Sequence, residues 1–218
     1  MIENDSLVLV DKPSGISSFG VVAKVRYQLS QQLGKKAKVG HTGTLDPFAT
    51  GLLILVTGQM CRRAQDFSKQ DKVYQATFVL GKTSSTADVE GRFRYRARQQ
   101  PSLATVQSAL EALTGQIWQT PPVFSAIKIN GQRAYHLARQ GKIIEMPRRQ
   151  VSIYSLELID YNYPRLTIRT HVSSGTYIRS LAVDLGQSLG VGAYCQSLRR
   201  LQIADYHVEQ ALDWQQLS

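Results

Sequence analysis

Apolar positions along this chain follow two periods, and their changes mark its elements. Residues 7–10, Leu-Val-Leu-Val, form a short unbroken apolar run closed by Asp-Lys-Pro-Ser-Gly at 11–15, the pattern of a buried strand ending in a turn. From Ser18 the spacing becomes helical. Phe19, Val22, Val25 and Leu29 define the expected apolar face, Ser18 the expected cap and Gly34 the stop. Residues 52–56, Leu-Leu-Ile-Leu-Val, predict a second strand buried on both faces, followed by a short helix to about Phe67. Residues 72–80 are β-branched and aromatic, with Tyr74, Ala76, Phe78 and Leu80 on one face. A helix is expected over 102–113, closed by Gly115, and one or two helical turns over 135–140. Strands are expected over 151–159 and 166–172, and a helix over 178–189 ending at Gly190. Strands follow strands as often as helices, so the expected class is α+β: a mixed, mainly antiparallel sheet with flanking helices.

Composition narrows the partners. The 218 residues suffice for one good core or two small ones. The 26 Lys and Arg exceed the 16 Asp and Glu, for a net charge of +10, which favours a polyanionic partner and says nothing of the fold. Cys61 and Cys195 are far apart, with no CxxC and no His/Cys cluster, so no metal is expected. The first residues lack a signal-peptide pattern, and no apolar run approaches a membrane span; the expected location is the cytoplasm. Two partial motifs are set aside: Gly81-Lys-Thr83 lacks the upstream Gly of a phosphate loop, and Asp88-Val-Glu-Gly91 lacks the spaced oxygens of a calcium loop.

The chemistry concentrates at 38–51, Lys-Val-Gly-His-Thr-Gly-Thr-Leu-Asp-Pro-Phe-Ala-Thr-Gly. Between Lys12 and Leu45 lie six Lys or Arg and no acid, and then comes Asp46. An Asp before Pro usually does no more than start a turn. Here Gly40, Gly43 and Gly51 allow close backbone approach, and His41 adds a flat polar ring. Tyr74 reads on pattern alone as a core tyrosine. Ser173-Ser-Gly-Thr-Tyr-Ile-Arg179 joins a strand to a helix start, where free N–H groups hold anions and Arg179 is a fixed cation. Leu198-Arg-Arg-Leu201 sets one apolar residue beside two phosphate-seeking side chains, or is simply a solvated basic edge.

Five blocks occur in order: Asp11-Lys-Pro-Ser-Gly-Ile-Ser-Ser18, Gly40-His-Thr-Gly-Thr-Leu-Asp-Pro-Phe-Ala-Thr-Gly-Leu-Leu53, Ser125-Ala-Ile-Lys128, Gly175-Thr-Tyr-Ile-Arg179 and Leu198-Arg-Arg-Leu201. Together they resemble the TruB family of tRNA pseudouridine-55 synthases, over about residues 7–203. The resemblance implies the pseudouridine synthase catalytic fold with a central active-site cleft, and isomerisation of uridine-55 in the T-loop of tRNA without cofactor or metal. It makes Asp46 the catalytic carboxylate, Tyr74 the aromatic under the target base and Arg179 the partner of the Asp. His41, Tyr177 and Leu198 then line the site of the extruded nucleotide. Lys12, Lys128, Arg133, Arg139, Arg148, Arg149, Arg199 and Arg200 are the expected contacts to RNA backbone, several of them in an insertion at 121–149 whose only acid is Glu145. The expected organisation is one catalytic domain over 1–218, without the further C-terminal PUA-like domain usual in the family, acting as a monomer on the tRNA T-stem-loop. Two rival readings remain: a tRNA-binding or folding module without catalysis, and a synthase acting on another RNA.

Overall fold

In the computed structural model of the chain, residues 2–129 and 131–217 are described. In chain order the first elements are β1 (Leu7–Lys12), α1 (Ser18–Leu33), β2 (Val39–His41), β3 (Thr50–Thr57), a 3-10 turn (Gly58–Arg63), α2 (Ala64–Ser68) and β4 (Lys72–Leu80). Then follow β5 (Lys82–Ser84), β6 (Phe93–Tyr95), α3 (Leu103–Ala112), β7 (Gly115–Gln119), β8 (Lys128–Ile129), β9 (Gln132–Arg133) and α4 (Ala134–Arg139). The last are β10 (Arg149–Asn162), β11 (Arg165–Val172), α5 (Ile178–Ser188), β12 (Ala193–Ile203), β13 (Tyr206–His207) and β14 (Leu212–Asp213). The class is mixed α/β with mostly antiparallel pairing, as expected; β1 with β14 and β12 with β3 pair parallel. The chain divides into two compact units, Met1–Gln75 with Leu198–Ser218, and Ala76–Ser197. Among the described residues no helix is long and apolar enough to cross a membrane.

In the first unit β3 lies antiparallel to β1 from Leu7↔Val56 to Lys12↔Gly51, and β2 pairs with its far end. Both faces of β3 are covered. Leu53 and Leu55 pack with Val8, Val10 and the α1 residues Val21, Val22, Val25 and Leu29. Leu52 and Ile54 pack with Ile203 and Val208 on the other side. That is why the run 52–56 shows no alternation. Helix α1 departs from expectation at its start: Ser17 caps it, its Oγ accepting from Gly20 N at 3.0 Å. Ser18 is turned inward, and Phe19 is exposed with the Arg26 guanidinium over its ring. Gly34 ends the helix in the left-handed conformation (φ 62°), as expected.

In the second unit β10 is flanked by β11 and β7, both antiparallel. Helix α3 is capped by Ser102, whose Oγ accepts from Thr105 N. Gly115 does not merely stop α3; it opens β7 opposite Ile153. Within the basic segment 121–148, β8 pairs with β9, and Tyr135 N, in the first turn of α4, donates to Ser125 O. Residue 130 within it lies outside the described residues. Strand β12 was not foreseen, because Arg199 and Arg200 break the apolar alternation that marks strands.

Asp184 on α5 carries an electrostatic cost. Burial pushes its carboxyl from about 3.8 up to about 6, partly opposed by the Arg148 guanidinium. Between these values the folded state binds more protons than the unfolded chain, so this group's contribution to stability falls as pH rises through that window. Asp184→Asn is therefore expected to raise Tm at about pH 8 and to match the native protein at about pH 4. Melting curves that coincide at both pH values would remove Asp184 as a source of strain.

Candidate active site

The Asp46 loop, residues 42–49, joins β2 to β3, and its backbone is tied down on both sides of the aspartate. Arg200, on β12, donates from Nε to Leu52 O at 2.7 Å, from Nη2 to Gly43 O at 3.2 Å and from Nη1 to Thr44 O at 3.5 Å. Ser18 Oγ donates to Leu45 O at 2.9 Å and accepts from Leu45 N at 2.8 Å. Asp46 O accepts from Ala49 N at 3.1 Å. Pro47 O accepts from Gly15 N at 2.8 Å and Lys12 Nζ at 3.2 Å. Phe48 O accepts from Ser14 Oγ at 2.9 Å. Every carbonyl from residue 43 to residue 48 thus has a donor. Asp46 itself stays half-buried, on a loop with little freedom to move.

Two of these donors are cations, and both are interior. Lys12 is 0% and Arg200 1% exposed. Lys12 Nζ also donates to Pro13 O at 2.8 Å and Ile16 O at 2.7 Å. A buried charge without hydrogen bonds costs far more than its attraction returns, so these carbonyls are what makes the burial tolerable. Each charge-assisted bond contributes about 1.5–3 kcal/mol. The approach of β12 to β3 needs Gly51: at φ 104°, any Cβ there would fall 2.3 Å from Arg200 O. Lys72 is a third cation in this place, since a Cβ built on Gly43 would meet both its Cε and Arg200 Nη1 at 3.8 Å. Its Nζ donates to Ser68 O and Gln70 O. Burial foremost, then the Arg200 charge, lowers its pKa to about 8, with Asp71 opposing.

Lys12 and Arg200 were expected to grip RNA backbone. Their donors point inward, so the structure assigns them to the scaffold of the loop. Arg199 is half-exposed and holds Asp11 through two bonds, at 3.0 and 2.7 Å. Tyr74 is buried on the face it shares with Ala76, Phe78 and Leu80, Leu198 is buried on β12, and His41 is half-buried at the end of β2.

In the second unit Tyr177 precedes α5 and Arg179 lies in its first turn. Arg179 is 3% exposed. Its Nη1 donates to Asp88 Oδ2 at 3.1 Å and Thr86 O at 3.0 Å, and its Nη2 to Phe124 O at 2.9 Å. Asp88 also accepts from Glu90 N and Thr86 Oγ1. Sequence reasoning missed Asp88, having dismissed its segment as a failed calcium loop; no local signal marks an acid whose partner lies 91 residues away. Tyr177 N donates to Gln119 Oε1 at 2.8 Å, and the Arg149 guanidinium lies 4.6 Å from its ring centre while bonding Gly175 O. Of the expected RNA-facing set, Lys128, Arg133, Arg139 and Arg148 are exposed and Arg149 is half-buried. Among the described residues no cluster of His, Cys, Asp or Glu suits a metal ion.

Sequence comparison places this architecture. Residues 31–178 match the family model of the TruB family pseudouridylate synthase (N terminal domain), and residues 179–218 that of the tRNA pseudouridylate synthase B C-terminal domain. The chain belongs to the TruB family and is a pseudouridine synthase by class. It is 43% identical over 204 residues to the tRNA pseudouridine synthase B of Phocaeicola vulgatus, covering 93% of this chain and 87% of that protein. It is 43% identical over 211 residues to the protein of the same name from Aquifex aeolicus, covering 95% and 71%. Among solved structures it resembles a chain of a Cbf5-Nop10-Gar1 complex, with TM-score 0.74 and 26% identity, over 97% of this chain and 53% of that one. It therefore spans about half the length of that structure.

Two measurements test the scaffold. Arg200→Met strands three carbonyls and is expected to cost about 3 kcal/mol or more in urea unfolding. Arg200→Lys should recover only part of this, lacking the planar fork; a loss under about 1 kcal/mol for Met would contradict the assigned role. Lys72 should titrate near 8 when followed by its side-chain 13Cε resonance. Because the folded state releases this proton first, its contribution to stability rises with pH between about 8 and 10.5. A midpoint at the ordinary lysine value would contradict the burial argument.

Proposed function

We propose that this chain converts uridine-55 in the T-loop of tRNA to pseudouridine, with Asp46 as the essential carboxylate. The observation that carries the proposal is the fully bonded run of carbonyls from residue 43 to residue 48, which holds one half-buried carboxylate in a fixed place. Relatives above 40% identity that are named tRNA pseudouridine synthase B support tRNA as the substrate.

The reaction breaks the N1–C1′ bond and forms C5–C1′; N1 gains a proton and C5 loses one. Nothing is added or removed, so no cofactor is required. Asp46 acts as an ionised carboxylate, attacking C1′ as a nucleophile or taking the C2′ proton as a base. The uridine leaves its stack at a cost of a few kcal/mol, and stacking on Tyr74 returns about 1–3 kcal/mol. In this reading Leu198 excludes water and Arg179 orients the carboxylate. His41 and Tyr177 line the nucleotide site, and the exposed cations of 121–149 grip the T-stem backbone.

The test is an unmodified tRNA transcript incubated without added metal, followed by pseudouridine mapping. Native protein is expected to modify the T-loop uridine. Asp46→Asn should leave none modified, while binding tRNA within about twofold of the native protein. Equal product from the variant would overturn the role of Asp46, and product only in another RNA would overturn the substrate.

A further inference from the structure

The return strand of the β5–β6 hairpin reads Arg92-Phe-Arg-Tyr-Arg-Ala-Arg98, and positions 91–110 contain no acid. All four arginines are exposed. Among the described residues none of the four forms an ion pair. Phe93 is 50% and Tyr95 76% exposed. Exposed rings among exposed guanidiniums offer a partner both a stacking face and positive charge.

The hairpin is held firmly. Lys82, Thr83 and Ser84 pair with Tyr95, Arg94 and Phe93, and Ser85 N donates to Arg92 O while Arg96 N donates to Gly81 O. Phe93 leans on Tyr194 with ring centres 4.8 Å apart. The Arg96 stem lies where a Cβ on Gly192 would meet its Cγ at 2.9 Å, so glycine leaves it room. Lys82 Nζ sits 4.7 Å from the Tyr95 ring centre. Beside that ring opens a cavity of about 310 Å³, lined by Lys82, Tyr95, Arg98 and Tyr163 among others. Its size and lining suit one flat, anion-bearing group.

We infer that this hairpin is a second RNA surface, separate from the basic segment 121–149, taking an unpaired stretch of RNA. One base stacks on Tyr95 beside the cavity, and its phosphate meets Lys82 and Arg98, which line the same cavity. That adjacency is the argument for RNA, since a ring for the base and cations for its phosphate lie together. Arg92 and Arg94, which face the other way from Tyr95 on the strand, meet the continuing backbone. An acidic peptide would use the charges and leave Tyr95 idle. The inference rests on the tRNA reading above and extends the contact beyond the reacting loop.

The test uses the full chain and unmodified full-length tRNA, with affinity measured between about 50 and 200 mM salt. Replacing all four arginines by Gln should reduce the slope of log K against log salt by about 2–3. Tyr95→Ser should weaken binding fivefold or more at every salt concentration while leaving the slope alone. Both changes lie on exposed side chains, and unchanged circular dichroism and Tm confirm folding. Slopes and affinities within about twofold of native for both variants would overturn the surface. So would displacement of RNA by polyglutamate combined with no effect of Tyr95→Ser, which is the outcome for an acidic peptide. Pseudouridine mapping on the same samples separates the two proposals. A native protein that leaves tRNA unmodified while the variants lose RNA affinity defeats the enzymatic reading and leaves the surface standing; full modification with unaltered binding by the variants defeats the surface alone.

Discussion

A guanidinium with almost no access to water must find its hydrogen bonds inside the protein, and Arg200 finds them on the backbone around Asp46. Lys12 does the same from the opposite side, through Pro47 O and the turn that leads into α1. Neutral dipoles solvate both cations in these contacts, so the charges stay in place as a positive field under a loop that presents a carboxylate. The arrangement constrains the backbone in return. Carbonyls that serve a buried cation cannot rotate away without stranding it, and that cost fixes the loop more firmly than turn propensity would. Gly51 follows from the same constraint, because β12 must come close enough to β3 to deliver Arg200.

The second unit repeats the principle with a different donor set. Arg179 donates to the Asp88 carboxylate and to the carbonyls of Thr86 and Phe124, which limits how its planar fork can turn. Asp88 is fixed in turn by Glu90 N and Thr86 Oγ1. Tyr177 is held at its backbone by Gln119 and at its ring by Arg149. Side chains immobilised beforehand lose little entropy when a ligand binds.

Much of this was legible in the chain. The run 52–56 announces a strand covered on both faces, and the alternation at 74–80 gives the buried face of β4 correctly. The helices near 18–33, 103–112 and 178–188 follow from spacing, caps and glycine stops. What stayed hidden depends on partners far along the chain. Ser17 and Ser18 are adjacent hydroxyls with equal capping propensity; only Leu45, 27 residues away, decides that Ser18 turns inward. Arg199 and Arg200 look alike in sequence, yet one lies over Asp11 and the other is interior, because neighbours on a strand face opposite ways. β12 was lost for the same reason, since a buried arginine erases the apolar pattern that reveals a strand.

The same burial changes what the net charge of +10 means. Lys12, Lys72, Arg179 and Arg200 are interior, and Arg199 is paired with Asp11. None of these offers a free charge to a phosphate at the surface. Counting cations therefore overstates the field that reaches solvent, and clustering them by sequence misplaces it. The charge available to a polyanion lies where cationic side chains are exposed and acids are few: Lys35, Lys36 and Lys38, the cations of 121–149, and the arginine strand at 92–98. A basic protein of this kind uses its positive residues in two unlike ways. Some are spent inside to hold a backbone still. Others stay exposed, where their charge reaches solvent.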